Sequence, residues 1–230
     1  VVCLKYGNKY GPEYVNKLHS MVSRNLTLDH EFICFTENTS GINKDIKTQP
    51  LPSDLGLTGW WFKPLFFNPD LIPDSSILYL DLDLIIFRNI DNLFAYKPEK
   101  FCIIRDFNRY VIKNYSKFNS SVFRLESGQQ SQVYYEFMKN SQSISRRFAG
   151  DQDWIRHAVK TNYEYWPDEW IQSYKWEMRN KPRMTKDSSG RRNWHEPGEP
   201  VIKPETSIAV FHGDPNPSTC IDPWCKKHWG

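Results

Sequence analysis

Two aspartates, Asp81 and Asp83, interrupt the apolar stretch S-I-L-Y-L-D-L-D-L-I-I-F-R-N that runs from Ser76 to Asn89. In an extended chain, residues i and i+2 share a face, so both carboxylates point one way. Leu78, Leu80, Leu82, Leu84 and Ile86 take the other face and read as one side of a buried strand. Two like charges at the end of such a strand repel each other and lose hydration, a cost that a bound cation removes. An oxygen-loving divalent metal is the natural resident. A solvated turn after an edge strand is the plain alternative, because short acidic triplets are common. Placement at the end of a core strand, where ligands of open α/β sheets collect, favours a site.

Other residues of chemical interest are scattered along the chain. The segment Gly150-Asp151-Gln152-Asp153-Trp154 begins a helix that continues through Ile155 and Ala158. Asp151 at its N-cap would add about 1 kcal/mol of helix stability, while two acids and an amide at a helix start also suit sugar hydroxyls. Lys63 is embedded in the aromatic block Trp60 to Phe67, W-W-F-K-P-L-F-F, where a cation needs an anionic partner or an escape to water. His212 follows the apolar run Ile208 to Phe211. A lone histidine after a strand is usually a surface residue, but a second strand end in the same sheet would bring it beside Asp81 and Asp83. Lys5, Tyr6 and Tyr10 flank the first loop as candidate base or ribose contacts, with an ordinary connection as the alternative.

The elements that must position these residues follow an α/β order. Val1 to Lys5 is a short strand, Tyr6 to Gly11 a loop with two glycines, and Pro12 opens a helix in which Tyr14, Leu18, Met21 and Val22 recur at helical spacing. That is the first half of a nucleotide-binding unit. Further strands are expected over Glu31–Thr36, Phe101–Asp106, Ser121–Leu125, Tyr163–Trp166, Trp170–Tyr174 and Ile208–Phe211, with a helix over Val133–Met138. From Lys175 to Glu205 the pattern dissolves into a stretch rich in basic residues, Pro, Gly and Ser, too long for a simple connection. Arg179, Lys181, Arg183, Lys186, Arg191 and Arg192 crowd it, as a solvated loop or as a patch facing an anionic substrate.

Length and composition narrow the class. A chain of 230 residues suits one domain with a full core. Its net charge of +3 is too mild for a nucleic-acid binder. Nine Trp among 15% aromatic residues serve cores and also stack on sugars or bases. Cys3, Cys34 and Cys102 sit in strand-like runs, and five cysteines is an odd count that favours a reducing compartment. Cys220 and Cys225, near His212 and His228, match no common zinc-finger or ribbon spacing. No apolar run reaches the roughly 20 residues that span a bilayer, and no signal-peptide pattern is present. A cytoplasmic location of bacterial or viral type, or one peripheral to a membrane, is the expectation.

With these pieces in order, the chain resembles a GT-A glycosyltransferase of the retaining family that contains glycogenin and the bacterial lipopolysaccharide galactosyltransferases. The resemblance rests on V-V-C-L-K-Y-G-N-K-Y at Val1 to Tyr10, I-L-Y-L-D-L-D ending at Asp83, F-N-S-S-V at Phe118 to Val122, D-Q-D at Asp151 to Asp153, and F-H-G-D-P-N-P at Phe211 to Pro217. It implies a single-domain α/β fold, a Rossmann-like mixed central sheet flanked by helices, with a nucleotide-binding part over about residues 1–110 and an acceptor-side part over about 111–230.

The same resemblance implies that Asp81, Asp83 and His212 hold Mn²⁺ or Mg²⁺ on the diphosphate of a nucleotide sugar, UDP-glucose or UDP-galactose. Lys63 would reach the diphosphate or donor sugar. Leu82 would contact the donor between the two acids, Asn119 and Ser120 would line the sugar pocket, and Asp151 would hold donor hydroxyls. Gln152 would lie near the anomeric carbon, and Gly213 would admit the phosphates to the backbone. The acceptor would be a glycan, lipid-linked or protein hydroxyl. The chain departs from the family pattern at Asn216, where closely similar sequences carry a lysine, with Lys226 or Lys227 as substitutes. Its first loop also lacks the usual acidic base-reader. A metal-dependent nucleotidyltransferase or phosphohydrolase, and a non-catalytic sugar-binding module, are the rival classes.

Overall fold

Seven strands form the central sheet of the computed structural model, which describes residues 1–179, 184–186, 188–189, 192–194 and 197–230. In chain order the strands are β1 (Val2–Lys5), β2 (Ile33–Thr36), β3 (Lys47–Pro50), β4 (Ser76–Leu80), β5 (Leu84–Ile86), β6 (Phe101–Arg105), β7 (Phe118–Glu126), β8 (Tyr163–Tyr165), β9 (Ile171–Ser173), β10 (Met184–Lys186), β11 (Arg192–Trp194) and β12 (Ile208–Val210). The central order is β3-β2-β1-β4-β7-β6-β8. Strands β1 to β4 are parallel, β7 runs against both β4 and β6, and β8 is parallel to β6. A smaller sheet, β5-β12-β9, and the hairpin β10-β11 complete the strands. The expected mixed central sheet is present.

Alternation along β4 explains how the central sheet is buried on both faces. Leu78 and Leu80 enter the apolar cluster that contains helix α1 (Pro12–Asn25), and Ile77 and Tyr79 enter the cluster on the other side. Helix α1 has Pro12 in its first turn and buries Tyr14, Val15, Leu18, Met21 and Val22, the face its spacing announces. The short helix α2 (Asn92–Ala95) follows β5. Helices α3 (Gln132–Arg147) and α4 (Asp151–Ala158) pack on the second face, where the 3₁₀ segment Gly59–Phe67 buries Phe62, Leu65, Phe66 and Phe67. Helix α5 (Pro223–His228) ends the described chain near β5.

Several expectations need correction. The stretch Ser76–Asn89 is not one strand: β4 stops at Leu80, the backbone bends through Leu82 and Asp83, and β5 continues in the other sheet. A layer covered on both faces by apolar side chains has no place for two carboxylates. The bend turns them out at the sheet's edge. Strand β12 lies in the small sheet beside β5, not in the sheet of β4. Strand β2 starts at Ile33 and not Glu31, and α3 runs well past Met138, with non-helical backbone at Asn140. Asp151 is the first helical residue of α4; the N-cap is Gly150. Of the basic cluster, Lys181, Arg183 and Arg191 lie outside the described residues. Among the described residues no helix is long and apolar enough to cross a membrane.

Candidate active site

A cavity of about 510 Å³ opens at the carboxyl ends of β1 and β4, the side of an open α/β sheet where ligands bind. Tyr6, Tyr10, Lys63, Asp81, Leu82, Asp83, Asn119, Ser120, Asp151, Gln152, His212 and Gly213 all line it. These come from segments far apart in sequence: the loop after β1, the 3₁₀ segment, the bend after β4, the start of β7, the first turn of α4 and the turn after β12. Lys5 is the exception among the expected residues. It is buried and does not line the cavity, whereas Leu4 and Tyr6 do. Period-two alternation sends its side chain to the opposite face.

Lys63 is the electrostatic centre. Its ammonium lies 2.9 Å from Asp81 Oδ1 and 3.5 Å from Asp151 Oδ2, and it donates to the carbonyl and hydroxyl oxygens of Ser120, each at 3.2 Å. Burial alone would lower its pKa, but the charges of Asp151 and Asp81 outweigh burial and hold the ammonium above its ordinary value. Burial raises the Asp151 carboxyl, with Lys63 and the Ser120 hydroxyl opposing. Tyr79 donates to Asp81 Oδ1 at 2.8 Å and Tyr10 to Asp83 Oδ2 at 2.9 Å. Burial pushes Asp83 up to about 6, and the adjacent Asp81 charge adds to the rise. Asp81, Asp83 and Asp151 are three carboxylates facing the single buried ammonium of Lys63, while Lys9 lies exposed at the rim.

That excess of negative charge and the oxygen and imidazole donors suit a divalent cation. The spacing is wider than one coordination sphere, since Asp81, Asp83 and His212 do not bring their ligand atoms within 4.8 Å of one another. His212 is placed by its main chain: Phe211 N–H donates to Asp83 O at 2.9 Å, so β12 delivers the histidine beside the second acid. Its ring stacks on Phe107 at 5.1 Å and meets Trp176 edge-on at 4.6 Å, and Nε2 pairs with Ser173 Oγ at 2.6 Å. Gly213 follows with φ of +88°, backbone that favours glycine.

No family model and no curated protein sequence matches the chain. Solved structures do. The galactosyltransferase LgtC, in complex with donor and acceptor sugar analogues, superposes with a TM-score of 0.66 at 12% identity, over 98% of this chain and 92% of that one. An active-site glutamine-to-glutamate variant of LgtC gives 0.67 over the same shares. The glycosyltransferase GlyE of Streptococcus pneumoniae TIGR4 gives 0.64 at 12% identity, with 99% of this chain on 59% of that one. Mouse xyloside xylosyltransferase 1 gives 0.51 at 14% identity, over 75% and 86%. The chain has the GT-A glycosyltransferase fold.

Within the GT-A fold, the residues that sequence reasoning missed are mostly supports. Tyr79 was findable, since it stands two residues before Asp81 on the same face. Asp106 accepts from Gln152 Nε2 at 3.2 Å and so orients the amide, a contact no local pattern announces. Lys175 carried only the signal of a basic residue at the edge of an irregular stretch. It is buried, and its ammonium donates to the carbonyls of His212 and Asp214, the latter at 2.9 Å, bracing the turn from below. Lys226 and Lys227, by contrast, do not line the cavity; both are exposed on α5. Trp60, more than half exposed, stands at the cavity mouth beside Gly150.

Proposed function

We propose that this protein is a glycosyltransferase moving a hexose from a nucleoside-diphosphate sugar, UDP-glucose or UDP-galactose, to a hydroxyl of a glycan, lipid-linked or protein acceptor, with retention at the anomeric carbon. The observation that carries the reading is the cavity itself: an excess of carboxylates around Lys63 at the carboxyl ends of parallel strands, in a GT-A fold. The LgtC neighbour with donor and acceptor sugar analogues supports it by analogy. Asp81, Asp83 and His212, drawn closer together than they stand here, would hold Mn²⁺ or Mg²⁺, whose Lewis acidity would stabilise charge on a departing diphosphate.

The chain's own groups do the rest. Tyr6 and Tyr10 offer ring faces to a base or ribose at the β1 end, with Leu82 between the two acids. Asn119, Ser120 and Asp151 stand where donor hydroxyls can be bonded, and the Lys63 ammonium behind them opposes the rise that burial imposes on the Asp151 carboxyl. Gln152, oriented by Asp106, presents its amide oxygen. An amide is a weak nucleophile, so the acceptor hydroxyl attacks from the face the diphosphate leaves. The C1–O bond to the diphosphate breaks, the bond to the acceptor oxygen forms, and the hydroxyl proton passes to a diphosphate oxygen. Acceptor contacts fall to Trp60 and to the segment after Lys175.

Incubation with UDP-hexoses and Mn²⁺ tests this. Release of UDP that stops on chelation supports the reading, and Asp83→Ala should abolish both turnover and metal-dependent nucleotide binding. Phosphomonoester products would replace it with phosphoryl chemistry at the same acids. Silence across a full donor panel would leave a sugar-binding module.

A further inference from the structure

Cys220 and Cys225 lie outside the transferase site and have no part in its proposed chemistry. Their sulfurs are 2.9 Å apart, and both residues are buried. Together with Asp222 they form the one trio of His, Cys, Asp or Glu side chains among the described residues whose ligand atoms all fall within 4.8 Å. That invites a metal, but two features speak against one. Asp222 is committed elsewhere: Oδ2 accepts from Arg179 Nε at 2.7 Å and Tyr174 Oη at 2.8 Å, and Oδ1 accepts from Gly198 N–H at 2.6 Å and Arg179 at 3.1 Å. A carboxylate with both oxygens twice engaged has no lone pair to give. The sulfurs are also too close. Two zinc–sulfur bonds of about 2.3 Å at a tetrahedral angle hold sulfurs roughly 3.8 Å apart.

We propose that Cys220 and Cys225 are a dithiol that closes to an intramolecular disulfide when the protein meets a low-molecular-weight disulfide. Of the five cysteines, Cys220 alone keeps any exposure, at 4%, whereas Cys3, Cys34, Cys102 and Cys225 have none. Cys220 is therefore the attacking sulfur, and the bond from Cys225, the largest influence on it, lowers its pKa. Its thiolate attacks one sulfur of the oxidant, whose S–S bond breaks and releases one thiolate. The Cys225 sulfur then attacks Cys220, expels the second thiolate, and the two thiol protons end on the two released thiols. Two protein thiols are oxidised and one small disulfide is reduced.

The bond would close a ring over residues 220–225, tying the start of α5 to the turn before it. Tyr174 stacks on Phe211 at 4.5 Å and on Trp224 at 5.5 Å, so the ring is coupled by aromatic contact to the residue that precedes His212. None of this depends on the transferase reading.

The test uses the native chain and glutathione disulfide, with acid quench, alkylation after unfolding, and mass spectrometry. The expected result is loss of two of the five alkylatable thiols, with one peptide carrying both Cys220 and Cys225 lighter by two hydrogens. Cys225→Ser should instead trap a glutathione adduct on Cys220. Retention of all five thiols, a crosslink between other cysteines, or zinc copurifying with Cys220 and Cys225 protected from alkylation would each overturn the proposal.

Discussion

Replacing Lys63 with methionine keeps most of the side-chain volume and removes the one buried positive charge between Asp81 and Asp151. Lys63 and Asp151 side chains are 7% and 8% exposed and that of Asp81 is 22%, so the orphaned carboxylates are poorly reached by water. Breaking a buried pair by deleting one partner costs about 3–5 kcal/mol. In a chain of 230 residues, each kcal/mol shifts Tm by roughly 2–4 °C, so K63M should melt about 10 °C below the parent. The surface pair Lys47–Glu31, at 3.2 Å with side chains 51% and 71% exposed, supplies the control: K47M should change stability by less than about 1 kcal/mol. The deficit of K63M should also depend on pH. Burial already raises Asp151, and loss of Lys63 raises it further. A carboxyl whose folded pKa exceeds its unfolded value stabilises the folded state as it protonates, so the gap to the parent should narrow as pH falls from 7 towards 5. Calorimetry of both variants across that range decides the matter. Equal, small losses for K63M and K47M, or a gap that widens on acidification, would refute the electrostatic account of the cavity.

Arg124 is fully buried and donates to the carbonyls of Phe94, Lys97 and Lys100 and to Cys102 Sγ; R124A should lower stability by about 3 kcal/mol or more, read as a lower urea midpoint with unchanged slope. Burial opposes the charge on Asp222, but bonds from Arg179, Gly198 and Tyr174 together overcome it and leave its carboxyl below the ordinary value. Its contribution is present above the unfolded carboxyl pKa of about 3.9 and lost as pH falls through the depressed folded value, so the gap between parent and D222N should be full at pH 7 and close in acid. Gly213→Ala must hold a side chain at φ of +88°, which costs roughly 1–2 kcal/mol; nucleotide affinity should fall in the same variant. Lys175→Met removes the brace on the His212 and Asp214 carbonyls and should speed amide exchange over residues 212–216, with Lys175→Arg partly restoring protection.

Much of this was legible because the decisive signals are local. The alternation of Leu78 and Leu80 with Ile77 and Tyr79 marks a strand buried on both faces, and Tyr14, Leu18, Met21 and Val22 mark the inner face of α1. Segments that merely look extended were misjudged where tertiary packing decides. No period within Ser76–Asn89 says that β5 will leave its neighbour for a strand more than a hundred residues on. Nor does local sequence say that Asp151 turns towards Lys63 and Ser120 while Gly150 caps the helix. The site residues came together because each ends or begins an apolar run, and such ends converge on one edge of the sheet. Lys5 was lost to the same logic applied one residue out of phase. Supports such as Ser173, Asp106 and Lys175 lie in segments without period, and their partners are far away in sequence.

The bend at Leu82 fixes how the two acids are mounted. Asp81 N–H donates to Ser121 O at 2.8 Å and so stays bolted to the large sheet, while Asp83 O accepts from Phe211 and is bolted to the small one. Between them is a single residue whose side chain is packed in the core. The two carboxylates are thus the jaws of a caliper whose arms are separate β-layers. A shift of one layer against the other would act on the single residue, Leu82, that separates Asp81 from Asp83. The pairing of β12 with β5 and β9 therefore bears on where Asp83 stands relative to Asp81.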